Sequence, residues 1–340
     1  MAYITFQPHD FFKTYIYTPG GGGGHTNSSL QFQPDWVWFK QRNGTEDNAL
    51  YDSVRGVTKR IISNSNGAET TEASGLTSFT STGWVTGADG KSGSASQNYV
   101  SWNWKAGNSA GSSNSDGSVT TTVTANTTAG FSIVKYTNPG SGSPFTAGHG
   151  LGAKPEFIIF KQYSSTANWS VWHTSIGFSK YLVLNSTNAQ ATANLVTATA
   201  TDTFSSYYDH HTSGQDIVAY CFAPKKGYSK FGKYTGNGTT DGAFVYTGFK
   251  PAFVIYKTYT TNGGWQIYDG ARNLFDNPTG KFLRPDTTAA EASGSNNIDF
   301  LSNGFKTRTT ANPGTTDSFI YAAFAAEPIV GSNGDPATAY

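Results

Sequence analysis

Two pairs of oppositely charged residues recur at the same spacing in this chain of 340 residues. Asp52 precedes Arg55 by three positions, and Asp269 precedes Arg272 by three. A carboxylate beside a guanidinium can orient a reacting group, or it can form a buried ion pair that holds a turn. The corresponding stretch between them has His173 in place of the acid and an isoleucine in place of the arginine. Because the middle one of these three corresponding stretches lacks both charges, the pattern favours a structural ion pair, or a role confined to the first and third stretches.

The densest group of potential metal ligands is the run Asp209, His210 and His211. Neighbouring side chains of an extended chain point in opposite directions, so the two histidines are poorly placed to bind one ion. We therefore predict a solvent-exposed loop, with no metal and no cofactor. An intersubunit or host-facing contact is the alternative, in which Tyr207, Tyr208, His210 and His211 are candidate binding residues.

Two short motifs match catalytic or phosphate-binding loops but lack the elements around them. GNSAG (107–111) fits the nucleophile elbow, yet no helix follows, and PGGGGGH (19–25) leads into a strand instead of a helix N-terminus. The recurring acids occupy equivalent positions, which favours ion pairing over the paired carboxylates of glycoside hydrolysis. We predict that the chain is not an enzyme, with a polysaccharide depolymerase as the minor alternative.

Tryptophan and tyrosine are the residues best suited to a binding surface. Trp169 and Trp265 occupy equivalent positions, each three residues before another aromatic side chain, Trp172 or Tyr268. Alternation along a strand places the two members of each pair on opposite faces, so one of them can be exposed. Large amphipathic rings bind sugars and partner proteins. Trp169 and Trp265 are therefore candidate binding residues, and partial burial under neighbouring loops is the alternative.

Composition narrows the class of protein. The formal charge of +1 gives no reason to expect a nucleic-acid or membrane partner, and the apolar runs are only as long as strands. A single cysteine excludes an intrachain disulfide. Turn sequences such as ADG and SDG, together with 39 glycines and 15% aromatic residues, indicate many short strands joined by tight turns. The sequence predicts an all-β protein with little helix.

One nine-residue pattern occurs three times, as FQPDWVWFK (32–40), AKPEFIIFK (153–161) and FKPAFVIYK (249–257). Each copy contains an apolar run between a proline and a lysine. These residues are Pro34, Pro155 and Pro251, and Lys40, Lys161 and Lys257. Side chains alternate along a strand, and both alternating sets are apolar here, so we expect a central strand covered on both faces. The proline should begin the strand and the lysine should reach water at its end.

The segments around this pattern also recur, which predicts three tandem β-sandwich-like repeats of jelly-roll or lectin-like character. Their expected boundaries are 12–107, 131–227 and 228–328. Residues 108–130 are rich in serine, threonine and glycine, and form either a linker or an added surface hairpin. Residues 1–11 are an apolar candidate for an anchoring segment, and residues 329–340 are a C-terminal tail.

The third copy carries YTGNGTTDGAFVYTGFKPAFVIYK, then YDGARN, LSNGFK and IYAAFAAEP. This succession resembles a repeat module found in structural proteins of tailed phages, especially marine phages. YDSVRG and AGFSIVKYT match in the first two copies, so the resemblance covers about Phe12 to Pro328. It implies a non-enzymatic virion protein of the tail or tail-fibre apparatus, assembled in the host cytoplasm and serving assembly and host attachment.

Two other functions remain open at this stage. One is a capsid-decorating or fibre-base protein that binds through residues 1–11, and the other is a carbohydrate-binding module. The expected partners are other virion proteins, further copies of the chain in the particle and a host surface glycan. The position in the particle and the packing of the repeats do not follow from the sequence.

Overall fold

The computed structural model describes residues 6–140, 144–207, 211–273, 277–293 and 297–328, without the side chains of residues 273 and 326–328. The helical elements there are two 3₁₀ turns, Pro8–Asp10 and Thr174–Ile176, and one short α-helix, α1 (Gly270–Asn273). None of the helices in these ranges is long and apolar enough to cross a membrane. All the larger elements are antiparallel sheets, which confirms the all-β prediction. Each large sheet, with the three-stranded sheet packed on it, is called a unit below.

The first unit contains β1 (Phe12–Tyr17), β2 (His25–Asn27), β3 (Trp36–Gln41), β4 (Ala49–Asp52), β5 (Lys59–Ile62), β6 (Thr70–Thr71), β7 (Leu76–Thr80), β8 (Gly83–Thr86) and β9 (Tyr99–Trp104). Its large sheet has the order β1-β9-β3-β4-β5-β6, and its small sheet has the order β2-β8-β7.

The second unit contains β10 (Ser112–Asn114), β11 (Thr121–Asn126), β12 (Phe131–Thr137), β13 (Phe145–Gly148), β14 (Phe157–Gln162), β15 (Ser170–His173), β16 (Lys180–Val183), β17 (Ala191–Thr192), β18 (Ala198–Thr199), β19 (Thr203–Ser206) and β20 (Asp216–Phe222). Its sheets have the orders β10-β11-β12-β20-β14-β15-β16-β17 and β13-β19-β18. Strands β10 and β11 pair with each other and extend the sheet beyond β12, so residues 108–130 form an added hairpin.

The third unit contains β21 (Ser229–Thr235), β22 (Phe244–Tyr246), β23 (Phe249–Thr258), β24 (Gln266–Asp269), β25 (Ile298–Leu301), β26 (Gly304–Thr307) and β27 (Ser318–Pro328). Its sheets have the orders β21-β27-β23-β24 and β22-β26-β25. The same four-strand order therefore recurs as β1-β9-β3-β4, β12-β20-β14-β15 and β21-β27-β23-β24.

The three copies of the proline-to-lysine pattern form β3, β14 and β23, each of which has a hydrogen-bonded neighbour on both sides. The prediction of a central strand with two covered faces is confirmed. In β3, Val37 and Phe39 pack towards the small sheet, whereas Trp36 and Trp38 enter a core on the opposite face. The proline lies two residues ahead of β3 and of β14, but Pro251 lies within β23 beside an irregularity in strand register.

The core on that opposite face is shared by all three units. Ring centroids are 4.3 Å apart between Trp36 and Tyr220, 5.8 Å between Phe157 and Phe231, and 5.5 Å between Trp104 and Phe253. These three contacts join the first unit to the second, the second to the third, and the third to the first. The large sheets therefore surround one common core and do not follow one another in a line.

The N-terminal residues also pack on this core. Phe6 and Phe11 are partly buried against it, and both rings make edge contacts with Tyr228 at centroid distances of 5.7 and 6.2 Å. Of the segment expected to act as an anchor, residues 6–11 are thus used within the chain, and residues 1–5 lie outside the described ranges.

Candidate functional site

The three lysines that end the repeated pattern are fully buried, so the prediction that they reach water is wrong. The ammonium group of each lysine donates to a carbonyl oxygen of its own following loop and to one in a neighbouring unit. The contacts between units run from Lys40 to Thr288 O (3.0 Å), from Lys161 to Asn66 O (3.1 Å) and from Lys257 to Thr187 O (2.8 Å). Burial lowers the pKa of each of these lysines to about 8. In an isolated sandwich, each of these lysines would reach water at the end of its strand. In this protein the neighbouring unit covers it.

Trp169 and Trp265 are also buried, and this corrects their assignment as candidate binding residues. Their indole N–H groups donate to Ile62 O at 2.8 Å and to Val183 O at 2.9 Å, each in the neighbouring unit. Asn48 holds the equivalent position in the first unit and donates to Thr287 O of the third at 2.9 Å. These contacts run in the same direction as those of the lysines and close a ring: first to third, third to second, second to first.

Asp52 and Arg55 form a buried ion pair at the interface between the first and second units. Arg55 Nε lies 2.6 Å from Asp52 Oδ2, and its Nη1 lies 2.9 Å from Glu69 Oε2. The hydroxyl of Tyr220, from the second unit, donates to Asp52 Oδ2 at 2.7 Å. Burial alone would lower the pKa of Arg55, but Asp52, Tyr220 and Glu69 together raise it. The guanidinium is therefore held in its charged form.

Asp269 and Arg272 repeat this arrangement in the third unit. Arg272 Nε lies 2.6 Å from Asp269 Oδ2, and its Nη1 lies 2.9 Å from Glu291 Oε2. The indole N–H of Trp102, from the first unit, donates to Asp269 Oδ2 at 2.9 Å. Both carboxylates thus receive a hydrogen bond from a neighbouring unit, and the side chains of both Asp–Arg pairs are fully buried. The geometry supports a structural ion pair.

The second unit replaces the charged set with neutral side chains. His173 is fully buried, and its Nδ1 accepts a hydrogen bond from the Ser175 N–H at 3.0 Å. Its proton is therefore on Nε2, which donates to Tyr321 O in the third unit at 3.1 Å. Burial lowers the pKa of His173 to about 4. Ile176 and Gln190 stand where the other units have arginine and glutamate, so the three charges are absent together.

The Tyr-Tyr-Asp-His-His run is described only in part, because Tyr208, Asp209 and His210 lie outside the described ranges. Tyr207 is half-buried and its N–H donates to Asn194 O at 3.1 Å. His211 is 7% exposed, with its ring 6.0 Å from that of Phe160, so this residue does not belong to a solvent-exposed loop. Within the described ranges, no group of three His, Cys, Asp or Glu residues could hold a metal ion.

The clearest exposed aromatic surface lies on the small sheet of the third unit. Phe244 is 49% exposed and Tyr246 is 51% exposed, whereas Val245 between them points into the core. Across the sheet, Phe244 pairs with Lys306, which pairs with Asp299. Cross-strand partners share a face, so Phe244 and Lys306 form an outward row that ends at Asp299, which is buried and paired with Arg308.

A second outward row lies beside the first. In it, Tyr246 pairs with Gly304, which pairs with Leu301. The two rows and the adjoining Arg308 are called the aromatic face below. It comprises Phe244, Tyr246, Asp299, Leu301, Lys306 and Arg308.

Ion pairs surround the aromatic rings of this face. Lys306 Nζ and Asp241 Oδ1 are 2.5 Å apart, as are Arg308 Nε and Asp299 Oδ2. A hydrogen bond from Lys306, with its charge, lowers the pKa of Asp241. The ammonium of Lys230 lies 5.1 Å from the ring centroid of Tyr246. The face therefore combines half-exposed rings with charged donors and acceptors.

Among the described residues, the other two units carry no aromatic side chain at the positions of Phe244 and Tyr246. The strand register places Thr26 and Thr146 where the third unit has Phe244, and Val85 and Ser205 where it has Lys306. In the second unit, the hairpin segment partly covers this position, because the Ser118 N–H donates to Thr146 Oγ1 at 2.8 Å. The sequence analysis placed its candidate binding residues at Trp169, Trp265 and the Tyr-Tyr-Asp-His-His run, and it missed this strand. The available signal was AFVY (243–246), in which every residue is apolar although the strand lies at a sheet edge.

A family model described as a domain of unknown function, DUF7483, matches residues 7–328, so the chain belongs to this family. No curated protein and no solved structure shows significant similarity to the chain.

Proposed function

We propose that this DUF7483 chain is a non-enzymatic structural protein of a phage virion, belonging to the tail or tail-fibre apparatus and serving assembly and host attachment. The motif resemblance supports the phage particle as its location. The observation that carries the role is the closed ring of contacts around the common core. That ring joins the three units to one another, and in the part of the chain that the structure describes the aromatic face belongs to the third unit.

The proposal of a non-enzymatic role rests on how the repeated polar residues are used. The two Asp-x-x-Arg pairs, the three repeated lysines and His173 all bond across interfaces between units. A general acid, base or nucleophile must reach a substrate to transfer a proton or form a bond. Side chains that are fully buried and already bonded to a neighbouring unit are suited to holding the units together.

A position on the capsid, as a decorating or fibre-base protein, is the second candidate. It would use the N-terminal segment as an anchor. Phe6 and Phe11 already pack against the core beside Tyr228, which leaves less apolar surface in that segment for a partner. The tail or tail-fibre apparatus is therefore preferred.

Mass spectrometry of purified particles of the phage that encodes this chain tests the proposal. Particles are banded on a density gradient, washed in high salt and digested, and the infected-cell lysate serves as the comparison. We expect peptides of the chain to co-purify with the known structural proteins at a constant ratio across the band. Peptides found in the lysate but lost from the washed particles would overturn the proposal.

A further inference from the structure

We propose that the aromatic face binds a saccharide chain, an inference that rests on the proposed role in host attachment. The ligand class is a neutral or weakly acidic polysaccharide of the kind displayed on a cell surface.

The shape of the face suits an extended ligand. Phe244 and Tyr246 are two residues apart on one strand, so their side chains lie about 7 Å apart on the same side. A Cβ atom on Gly304 would lie 2.1 Å from Val245 O, so this position excludes any side chain. No side chain therefore projects between Tyr246 and Leu301. The face continues past Asp299, Leu301 and Arg308 into an open groove of about 600 Å³ that also borders Asn277.

The polar groups of the face match a ligand rich in hydroxyl groups. Lys306 and Arg308 present donors and Asp241 presents acceptor oxygens beside the rings, whereas Asp299 is buried and holds Arg308 in place. A pyranose offers hydroxyl groups that both donate and accept, and C–H faces that pack on aromatic rings. Planar apolar contact and paired hydrogen bonds are thus available within one row of side chains.

Charge composition argues against other classes of macromolecule. The cores of protein–protein interfaces are depleted of charged residues, whereas charges and aromatic rings alternate on this face. Nucleic acid requires an excess of positive charge. Here the positive charges of Lys230, Lys306 and Arg308 are balanced to within one charge by Asp241 and Asp299. Both carboxylates are paired with these cations. A polysaccharide is the ligand that uses both kinds of group.

The three units differ from one another at the aromatic face. The three units share their strand order and the contacts that build the ring, so positions required by the fold should be similar in all of them. Phe244 and Tyr246 are half-exposed, whereas the strand register places Thr26 and Thr146 at the position of Phe244, and Gly148 at the position of Tyr246 in the second unit. The aromatic side chains are therefore not needed to form the small sheet, which leaves binding as the reason for them.

The test uses the full-length protein on an array of bacterial O-antigens and capsular polysaccharides, followed by titration with any polysaccharide that binds. Phe244→Ala and Tyr246→Ala are compared with Phe178→Ala. Phe178 is equally exposed at 49% but lies in the second unit, where it stacks on Trp172. Circular dichroism and thermal unfolding verify that each variant is folded.

We expect the wild-type protein to bind at least one polysaccharide, and each face variant to weaken binding by about tenfold or more, while Phe178→Ala binds as the wild type. A second set, Lys306→Ser and Arg308→Ser, should also weaken binding. Absence of binding on the whole array, or equal binding by the wild-type and face variants, would overturn the inference. Either result leaves the proposed function standing if the protein is found in washed particles, so the two failures are distinguishable.

Discussion

The indole N–H of Trp265 in the third unit donates a hydrogen bond to the carbonyl oxygen of Val183 in the second, 2.9 Å away. Trp169 makes the equivalent bond to Ile62 in the first unit. Both rings also belong to the common core. Each of these tryptophans therefore stabilises an interface between units in addition to its own sheet.

Replacing Trp265 by phenylalanine tests this relationship. The ring remains apolar, but Val183 O loses its donor at a buried position, which destabilises the fold by about 1–3 kcal/mol, with a further contribution from the smaller ring. Urea denaturation of the full chain, followed by fluorescence and by circular dichroism, gives the free energy of unfolding. Phe244→Ala is the control, because its side chain is half-exposed on the outward face of the small sheet. Unchanged stability of Trp265→Phe would contradict the interface role.

Removing one charge from the buried ion pair of the first unit should strongly destabilise the protein. Asp52→Asn leaves Arg55 charged and poorly paired at a buried position, and we expect a loss of about 3–5 kcal/mol in the free energy of unfolding. The measurement is equilibrium denaturation at pH 7.

A matched variant is available within the chain itself. The triple change Asp52→His, Arg55→Ile and Glu69→Gln installs the neutral set of the second unit and leaves no unpaired charge. We expect it to destabilise the protein less than Asp52→Asn does. A triple variant that is less stable than the single one would show that the charges are needed for more than mutual pairing.

His173 predicts a loss of stability in acid. Its pKa is about 4 in the folded protein and about 6.5 when unfolded, so its contribution is complete above pH 6.5 and is lost as pH falls towards 4. The difference amounts to about 3 kcal/mol across that window. Unfolding of the wild type and of His173→Gln is compared at pH 7 and pH 4.5. The wild type should lose about 2–3 kcal/mol more than the variant between the two pH values, and equal losses would contradict the assignment.

The buried lysines predict a pH dependence of stability in the alkaline range. Their pKa of about 8 is below the unfolded value of 10.5, so the unfolded chain binds more protons between these values and stability rises with pH. Each lysine contributes about 1 kcal/mol per pH unit in the middle of the window. Buried tyrosines such as Tyr220, whose pKa is raised chiefly by burial, act in the opposite direction above pH 10.

The measurement for the lysines is therefore made between pH 8 and 9.5, with Lys161→Met as the comparison. At pH 8 the variant should be less stable than the wild type, because Asn66 O and Ala167 O lose their donor. Its free energy of unfolding should also rise less steeply with pH than that of the wild type, by about 1 kcal/mol per pH unit. Parallel slopes would mean that Lys161 titrates normally.

Much of each unit could be predicted from local sequence. The alternation of apolar residues in β3, β14 and β23 identified a strand covered on both faces, and the recurring motifs agree with the recurring strand order. The sequence did not show what covers the second face. For Trp36 and Phe157 it is a neighbouring unit, reached across more than 60 residues of chain, and such long-range closure leaves no local pattern.

The same cause explains the errors in the predicted sites. Lys161 and Trp169 look like surface residues of an isolated sandwich, but both are buried and both donate a hydrogen bond to the first unit. Conversely, Phe244 and Tyr246 look like core residues of a short apolar strand, yet they are half-exposed because they lie on the outward face of the small sheet, opposite the core that buries Val245. Burial in this protein depends on packing between units, which a single sequence does not display.

The most direct test of the proposed function is immunogold electron microscopy of intact particles, using an antibody raised against the full-length protein. An unrelated antibody and particles pre-incubated with free protein are the controls. We expect gold to label the tail or its fibres, and the label to disappear when free protein competes. Particles that carry no label, under conditions in which the same antibody detects the protein in infected cells, would contradict the account.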